Sequence, residues 1–292
     1  MNFEQFRFWY EEAKTEAIAA NIPLEELDWF AIAQSNLDRL ALRLGTVPAS
    51  GLQLSQPLPE LARLWQRRCR DRVPVQYLVG WTHWRNFRLK VTPDVLIPRP
   101  ETEEIIDLAV AAADSRHRGG DWVDLGTGSG AIALGLAAAF PEATIHAIDT
   151  SAEALEIARE NARNCGFEKN VEFHQGAWWE PVEALKGRIC GMTSNPPYIP
   201  TAAIARLQPE VACHEPHLAL DGGADGLDCL RYLVETAPEY LGSRGIWLVE
   251  MMDGQGEAVK ALLEEQGRYR EVQTFPDLAG IQRFARAVIS RE

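Results

Sequence analysis

From residue 101 onward, short apolar runs and amphipathic stretches take turns along the chain, and this alternation limits the fold more than any other feature. Strand-like runs fall at 121–125 (DWVDL), 143–148 (ATIHAI), 170–174, 189–194, 245–251 (GIWLVEM), 269–275 and 283–289. Helical periodicity falls at 101–113, 130–140, 151–165, 225–241 and 254–266. Strands separated by helices need crossover connections, which cover both faces of a mostly parallel sheet. The expected fold class is therefore α/β, with seven strands in one mostly parallel sheet.

The preceding hundred residues follow another pattern. Phe3, Phe6, Tyr10, Ala13 and Ala17 recur at helical spacing, as do Leu27, Phe30, Leu37, Leu40 and Leu44, with Gly45 as a stop. A further helix fits 58–72. In Phe87-Arg88-Leu89-Lys90-Val91 apolar and basic residues alternate, which marks a strand, and Trp81 and Trp84 precede a turn at Arg85-Asn86. Pro98 and Pro100 forbid helix before Glu101. The domains expected are a helical N-terminal domain over 1–73, a β-hairpin linker over 74–99 and an α/β domain over 100–292.

Bulk properties exclude several classes. No run of 18 apolar residues exists to span a membrane, and the start MNFEQFRFWYEEAK, without a basic stretch followed by an apolar one, is not expected to be a secretory signal. Five cysteines without a CxxC pair suit a reduced, cytoplasmic protein better than a disulfide framework. The net charge of −13 is uneven: residues 1–92 hold 12 Lys+Arg and 10 Asp+Glu, leaving net −15 for residues 93–292. An acidic α/β domain repels a phosphate backbone, so direct nucleic-acid binding is not expected.

Two loops carry the chemistry. Gly126-Thr127-Gly128-Ser129-Gly130 lies between a strand and a helix, where glycines permit positive φ and close approach of a ligand. Asp149 ends the next strand, where a carboxylate can accept both ribose hydroxyls of a nucleoside. Such a loop could hold NAD, a phosphate or S-adenosylmethionine; its GxGxG spacing is not the dinucleotide GxGxxG. The second loop, Asn195-Pro196-Pro197-Tyr198, follows the fourth strand and so reaches the same carboxyl edge. A primary amide nitrogen is a poor nucleophile because its lone pair is delocalised into the carbonyl. The Asn195 side-chain oxygen and the Pro196 carbonyl can accept its two N–H bonds. Tyr198 can stack on the flat amide and face a cation.

Together DLGTGSGAIAL (124–134), SNPPYI (194–199), LIPRPETE (96–103), PVQYLVG (74–80), EPHLALDGGADGL (215–227) and DLAG (277–280) resemble the HemK/PrmC-type release factor glutamine N5-methyltransferases. The resemblance spans about residues 74–280, and the helical N-terminus is similar mainly in character. It implies a Rossmann-like class I methyltransferase domain over 100–292, with the 1–73 domain recognising substrate. It implies S-adenosylmethionine as methyl donor, with S-adenosylhomocysteine as product. The acceptor would be the glutamine of the GGQ loop in class 1 peptide-chain release factors.

The resemblance also implies roles. Gly126, Thr127, Gly128, Ser129 and Gly130 would wrap the methionine end of the donor, Asp149 its ribose, and Trp178 would pack near the adenine. Asn195 would also bind the donor; with Pro196 and Tyr198 it would be catalytic, and with Pro196, Pro197 and Tyr198 it would hold the glutamine. Arg99 and Glu101 to Glu103 would shape the entrance. The chain departs from the family at Ala177, where an acid is usual, at Ile189-Cys190 and at Met251-Met252. Rival readings are methylation of an exocyclic adenine amine, methylation of a ribosomal-protein glutamine, and a non-catalytic binding protein.

Other features receive plainer readings. Arg63, Arg67 and Arg70 share a helical face, read as a solvated surface or as a patch that docks a partner, the release factor, or contacts RNA. Cys213, His214 and His217 lack a further ligand at suitable spacing, so no metal is expected. Trp81, Trp84 and Phe87 are read as inter-domain packing. A monomer is expected.

Overall fold

The computed structural model describes residues 3–290, and these divide into two compact units. One comprises the residues up to Trp81 together with Gln208–His214; the other comprises Thr82–Leu207 and the chain from Glu215 onward.

The first unit is helical: α1 (Phe3–Ala19), α2 (Leu24–Ala33), α3 (Arg39–Leu44), α4 (Leu58–Asp71) and α5 (Val75–Val79). Its core is aromatic. Phe6, Trp9, Phe30 and Trp65 are buried, with ring centroids 5.4 Å apart for Phe6–Trp9 and 5.5 Å for Phe30–Trp65. The buried Trp65 indole donates to the Ala13 carbonyl at 3.1 Å, so the core hides no unsatisfied N–H there. The periodicity from Leu27 to Leu44 does not form one apolar face. The helix stops at Ala33, Asp38 caps a new one by accepting from Ala41 N at 2.7 Å, and Leu40 and Leu44 are 64% and 65% exposed. A side-chain cap outweighs continued periodicity here, because it satisfies an orphan N–H that the break creates. Gly45 ends α3 in the left-handed conformation, as expected.

Strands β1 (Trp81–Trp84) and β2 (Phe87–Lys90) pair as a two-stranded ribbon around Arg85, whose φ is 48°. A 3₁₀ turn over Glu101–Glu103 leads into α6 (Glu104–Ala112), so the helix expected from 101 begins with one tighter turn. The α/β elements follow: β3 (Asp121–Leu125), α7 (Ala131–Ala139), β4 (Thr144–Asp149), α8 (Ala152–Cys165), β5 (Val171–Gln175) and β6 (Ile189–Ser194). Next come α9 (Thr201–Ile204), α10 (Pro209–His214, in the first unit), α11 (Asp228–Tyr240) and β7 (Leu241–Glu250). The last elements are α12 (Gly256–Gln266), β8 (Tyr269–Pro276) and β9 (Gln282–Ile289). β7 starts four residues before the expected 245, at the end of α11.

The seven strands lie in the order β5-β4-β3-β6-β7-β9-β8, and β9 alone runs opposite to the other six. Alternate residues of each strand feed opposite cores. Val123, Met192, Trp247 and Val249 pack under α11 and α12, while Trp122, Ile145, Ile246 and Leu248 pack under α6 and α7. The mixed α/β fold with a mostly parallel seven-stranded sheet is the one expected. No helix among the described residues is long and apolar enough to cross a membrane, and all five cysteines are free thiols.

Candidate functional site

Two loops leave the sheet side by side. β3 and β6 are parallel neighbours with Leu125 in register with Ser194. The segments that follow, 126–130 and 195–198, therefore start from adjacent points of the carboxyl edge. The strand order reverses here, with β4 and β5 on one side of β3 and β6 and β7 on the other, and such a reversal opens a crevice. A cavity of about 290 Å³ lies at this edge, with Gly126, Gly128, Asp149, Trp178, Asn195 and Pro197 in its wall.

The first loop is held by backbone. The N–H groups of Gly126 and Thr127 both donate to the Ile148 carbonyl at 2.9 Å, pinning the turn to the end of β4. Gly126 and Gly128 have φ of 74° and 54°, and nothing lies within 4 Å of where a Cβ would stand on either. Gly130 serves packing: at φ 83°, a Cβ there would meet the Ala158 Cβ at 3.1 Å. The fully buried Asp124 carboxylate accepts from the Thr127 hydroxyl at 2.6 Å and Ala133 N at 3.2 Å. Burial pushes its pKa up to about 7. Thr127 and Ser129 are buried behind the cavity wall.

Asp149 faces the cavity and takes backbone donors on both oxygens, with Gly128 N on Oδ2 and Ser151 N on Oδ1, both at 2.9 Å. Each oxygen keeps acceptor capacity. Burial raises the carboxyl above its ordinary pKa, and the N–H donors oppose that. Trp178 has φ 52° and lies 5.9 Å from the Tyr232 ring. Ala177 N donates to Glu180 at 3.2 Å, the Cys190 thiol donates to the Asp121 carbonyl at 3.0 Å, and Met251 is buried in the core.

The second loop is held by side chains that sequence reasoning did not assign. The Tyr198 hydroxyl donates to Glu250 Oε1 at 3.0 Å, and the Thr102 hydroxyl donates to Glu250 Oε2 at 2.6 Å. Asn195 Nδ2 donates to Thr102 Oγ1 at 3.4 Å. Glu250, at the end of β7, is fully buried, and burial pushes its pKa up to about 7. Burial and the neighbouring carboxylate also raise Tyr198, keeping its phenol neutral. Among the described residues no group donates to Asn195 Oδ1 or to the Pro196 carbonyl. Behind the loop, Gln255 Nε2 donates to the Tyr198 carbonyl at 3.0 Å and to the Gly226 carbonyl at 3.2 Å. A Cβ on Gly226 would stand 2.3 Å from that Tyr198 oxygen, so the close approach requires glycine.

The remaining candidate residues are not themselves in the cavity wall. Pro196, Tyr198, Arg99 and Glu101 do not line the cavity. Arg99 Nη2 binds both oxygens of the buried Glu215 at 2.8 Å, and Glu103 accepts from Arg85 N at 2.7 Å. Arg63, Arg67 and Arg70 are exposed on α4, whereas Arg68 is buried and bridges Glu26 and Glu210. His214 is bonded to the Asp71 carbonyl at 2.7 Å. Trp81 packs on Trp29 in the first unit, whereas Trp84 is buried in the core of the second.

A family model described as a methyltransferase domain matches residues 116–187. A release factor glutamine methyltransferase of Synechocystis sp. is 52% identical over 97% of this chain and 96% of its own. One from Thermosynechococcus vestitus is 49% identical over 89% of each, and one from Gloeobacter violaceus is 45% identical over 94% of each. Among solved structures, a methyltransferase from Pyrococcus furiosus superposes with a TM-score of 0.52 at 19% identity, covering 71% of this chain and 91% of that one. That likeness concerns the fold alone.

Proposed function

Because this chain belongs to the release factor glutamine methyltransferase family, we propose that it methylates the side-chain amide nitrogen (N5) of the glutamine in the GGQ loop of class 1 release factors. The observation that carries this reading is the register of Leu125 with Ser194, which starts the glycine turn and the Asn-Pro-Pro-Tyr loop from neighbouring strand ends around one cavity.

The residues fit S-adenosylmethionine as donor. The open space over Gly126 and Gly128 admits a ligand against the backbone. Asp149 has acceptor capacity for a ribose, and Trp178 supplies an aromatic wall. Bound there, S-adenosylmethionine supplies an electrophilic methyl on a sulfonium sulfur. The chain's own task is orientation, for which about 7–11 kcal/mol is available in principle. Asn195 Oδ1 and the Pro196 carbonyl accept the two amide N–H bonds and turn the nitrogen lone pair toward the methyl. Pro197 and Tyr198 keep the loop rigid. No base is needed before transfer, because the methylated nitrogen sheds its proton afterward.

The first unit is proposed to grip the release factor, with Arg63, Arg67 and Arg70 as its contact face. The test uses methyl-labelled S-adenosylmethionine with purified release factor, ribosomes or DNA in separate reactions. Label on the release factor, lost when its GGQ glutamine is replaced, is the expected result. Label on nucleic acid or ribosomes alone overturns the reading.

A further inference from the structure

We propose that Glu250 acts as a positioning residue: through the Thr102 hydroxyl it fixes which end of the Asn195 carboxamide is free to meet the substrate amide. The proposal rests on the function above, but its central observable does not involve the release factor.

The hydrogen-bond directions follow from a count of protons. Glu250 as a carboxylate offers only acceptors. Its Oε2 takes the Thr102 hydroxyl proton at 2.6 Å and its Oε1 takes the Tyr198 proton at 3.0 Å. Thr102 has then spent its one proton, so its oxygen can only accept from its other neighbour. That neighbour is Asn195, and the group turned to Thr102 is Nδ2, at 3.4 Å. A carboxamide held by its nitrogen leaves its oxygen free, which is the end that can accept a substrate N–H. One carboxylate thus holds both polar side chains of the Asn-Pro-Pro-Tyr loop, one directly and one through Thr102. This also gives Thr102 a role within the segment Arg99-Pro100-Glu101-Thr102-Glu103, whose charged members are engaged with Glu215 and Arg85 or lie off the cavity.

Protonation of Glu250 reverses the chain. A carboxylic acid protonated on Oε2 donates to Thr102 Oγ1. Thr102 must then donate its own proton onward, and Asn195 satisfies it by turning Oδ1 inward. The amide then presents N–H donors to a substrate that also brings donors, and the pair no longer matches. Protonation on Oε1 instead would leave the buried Tyr198 hydroxyl without its acceptor, a cost the first arrangement avoids. The charged and titratable groups around Glu250 are Glu101 in the 3₁₀ turn, Tyr198 after β6, and Arg283 on β9, itself bound to Asp277 at 2.7 Å. Burial is the largest influence and disfavours the carboxylate, the Thr102 and Tyr198 hydroxyl donors favour it, and Glu101 and Arg283 add smaller opposing effects, which leaves the carboxyl pushed up to about 7.

The test pairs NMR with kinetics on the full chain. The side-chain ¹⁵Nδ2 resonance of Asn195 should move with pH, with a midpoint near 7. The response should vanish in Thr102→Val, return in Thr102→Ser, and be absent in Glu250→Gln. In release-factor methylation, Thr102→Val should lower kcat by about 10²-fold, with KM and S-adenosylhomocysteine affinity within twofold of wild type. Thr102→Ser should restore kcat. Wild-type kcat should decline below about pH 7, and Glu250→Gln should lose that limb. An Asn195 resonance indifferent to pH, or one whose response survives Thr102→Val, overturns the proposal. Wild-type kcat in Thr102→Val overturns it as well. A wild-type protein that labels no release factor defeats the function instead, and the NMR result then decides the positioning claim alone.

Discussion

The glycine turn and the Asn-Pro-Pro-Tyr loop occupy adjacent strand ends yet are built on opposite principles. The turn after β3 is shaped by what is missing: Gly126 and Gly128 open space at positive φ, and the N–H groups of Gly126 and Thr127 anchor on one carbonyl of β4. The loop after β6 is shaped by what is added. Its Asn and Tyr are tied to Glu250, 52 residues beyond Tyr198, and to Thr102, 93 residues before Asn195. A ligand that needs close backbone approach is served by local conformation. A weak nucleophile that needs a fixed direction is served by a buried polar network, whose members must all be satisfied to hold it.

The sharpest way to break this contrast is Asn195→Ala. Turnover should drop by roughly 10²–10³-fold, the usual cost of losing one orienting hydrogen-bonding group, while calorimetric affinity for S-adenosylhomocysteine stays at the wild-type value. A parallel loss of affinity would merge the two loops into one site. Gly128→Ala should do the reverse. An L-residue at φ 54° costs about 1–2 kcal/mol, so cofactor affinity should weaken by about tenfold with the release-factor KM unchanged.

Reversing the charge of Arg63, Arg67 and Arg70 should raise the release-factor KM by roughly three- to tenfold, as exposed contact charges do. It should leave cofactor affinity and kcat alone. The smallest effect is on stability. Glu250 and Asp124 both have carboxyls pushed up to about 7 from ordinary values of 4.5 and 3.8. Between about pH 4.5 and 7 the folded state therefore binds more protons than the unfolded state, and stability declines as pH rises through that window. Glu250→Gln should make the slope of Tm against pH shallower across this window; an unchanged slope would mean that Glu250 is ionised throughout.

The contrast also explains what the sequence could reveal. Gly126-Thr127-Gly128-Ser129-Gly130 and Asp149 were legible because their arrangement is local: a strand, a turn and the end of the next strand. The α/β order was legible for the same reason. Glu250 stands in the sequence as the acid closing an otherwise apolar strand, GIWLVE, a pattern that signals a buried carboxylate but names no partner. Thr102 stands between two charged residues, Glu101 and Glu103, and nothing in the local pattern marks the neutral residue as the buried one. The break between α2 and α3 was hidden because Leu40 and Leu44 continue the helical spacing yet remain exposed. Nor did sequence spacing hint that α10, Pro209–His214, belongs to the first unit, where Glu210 pairs with Arg68 at 2.8 Å.

The central claim is that Thr102 acts on the acceptor only by way of Asn195, and a double-mutant cycle on kcat measures that directly. Asn195→Ala and Thr102→Val should each slow turnover, and the double variant should be no slower than Asn195→Ala alone. Losses that multiply instead would show that Thr102 and Asn195 act independently, contradicting the relay through Asn195.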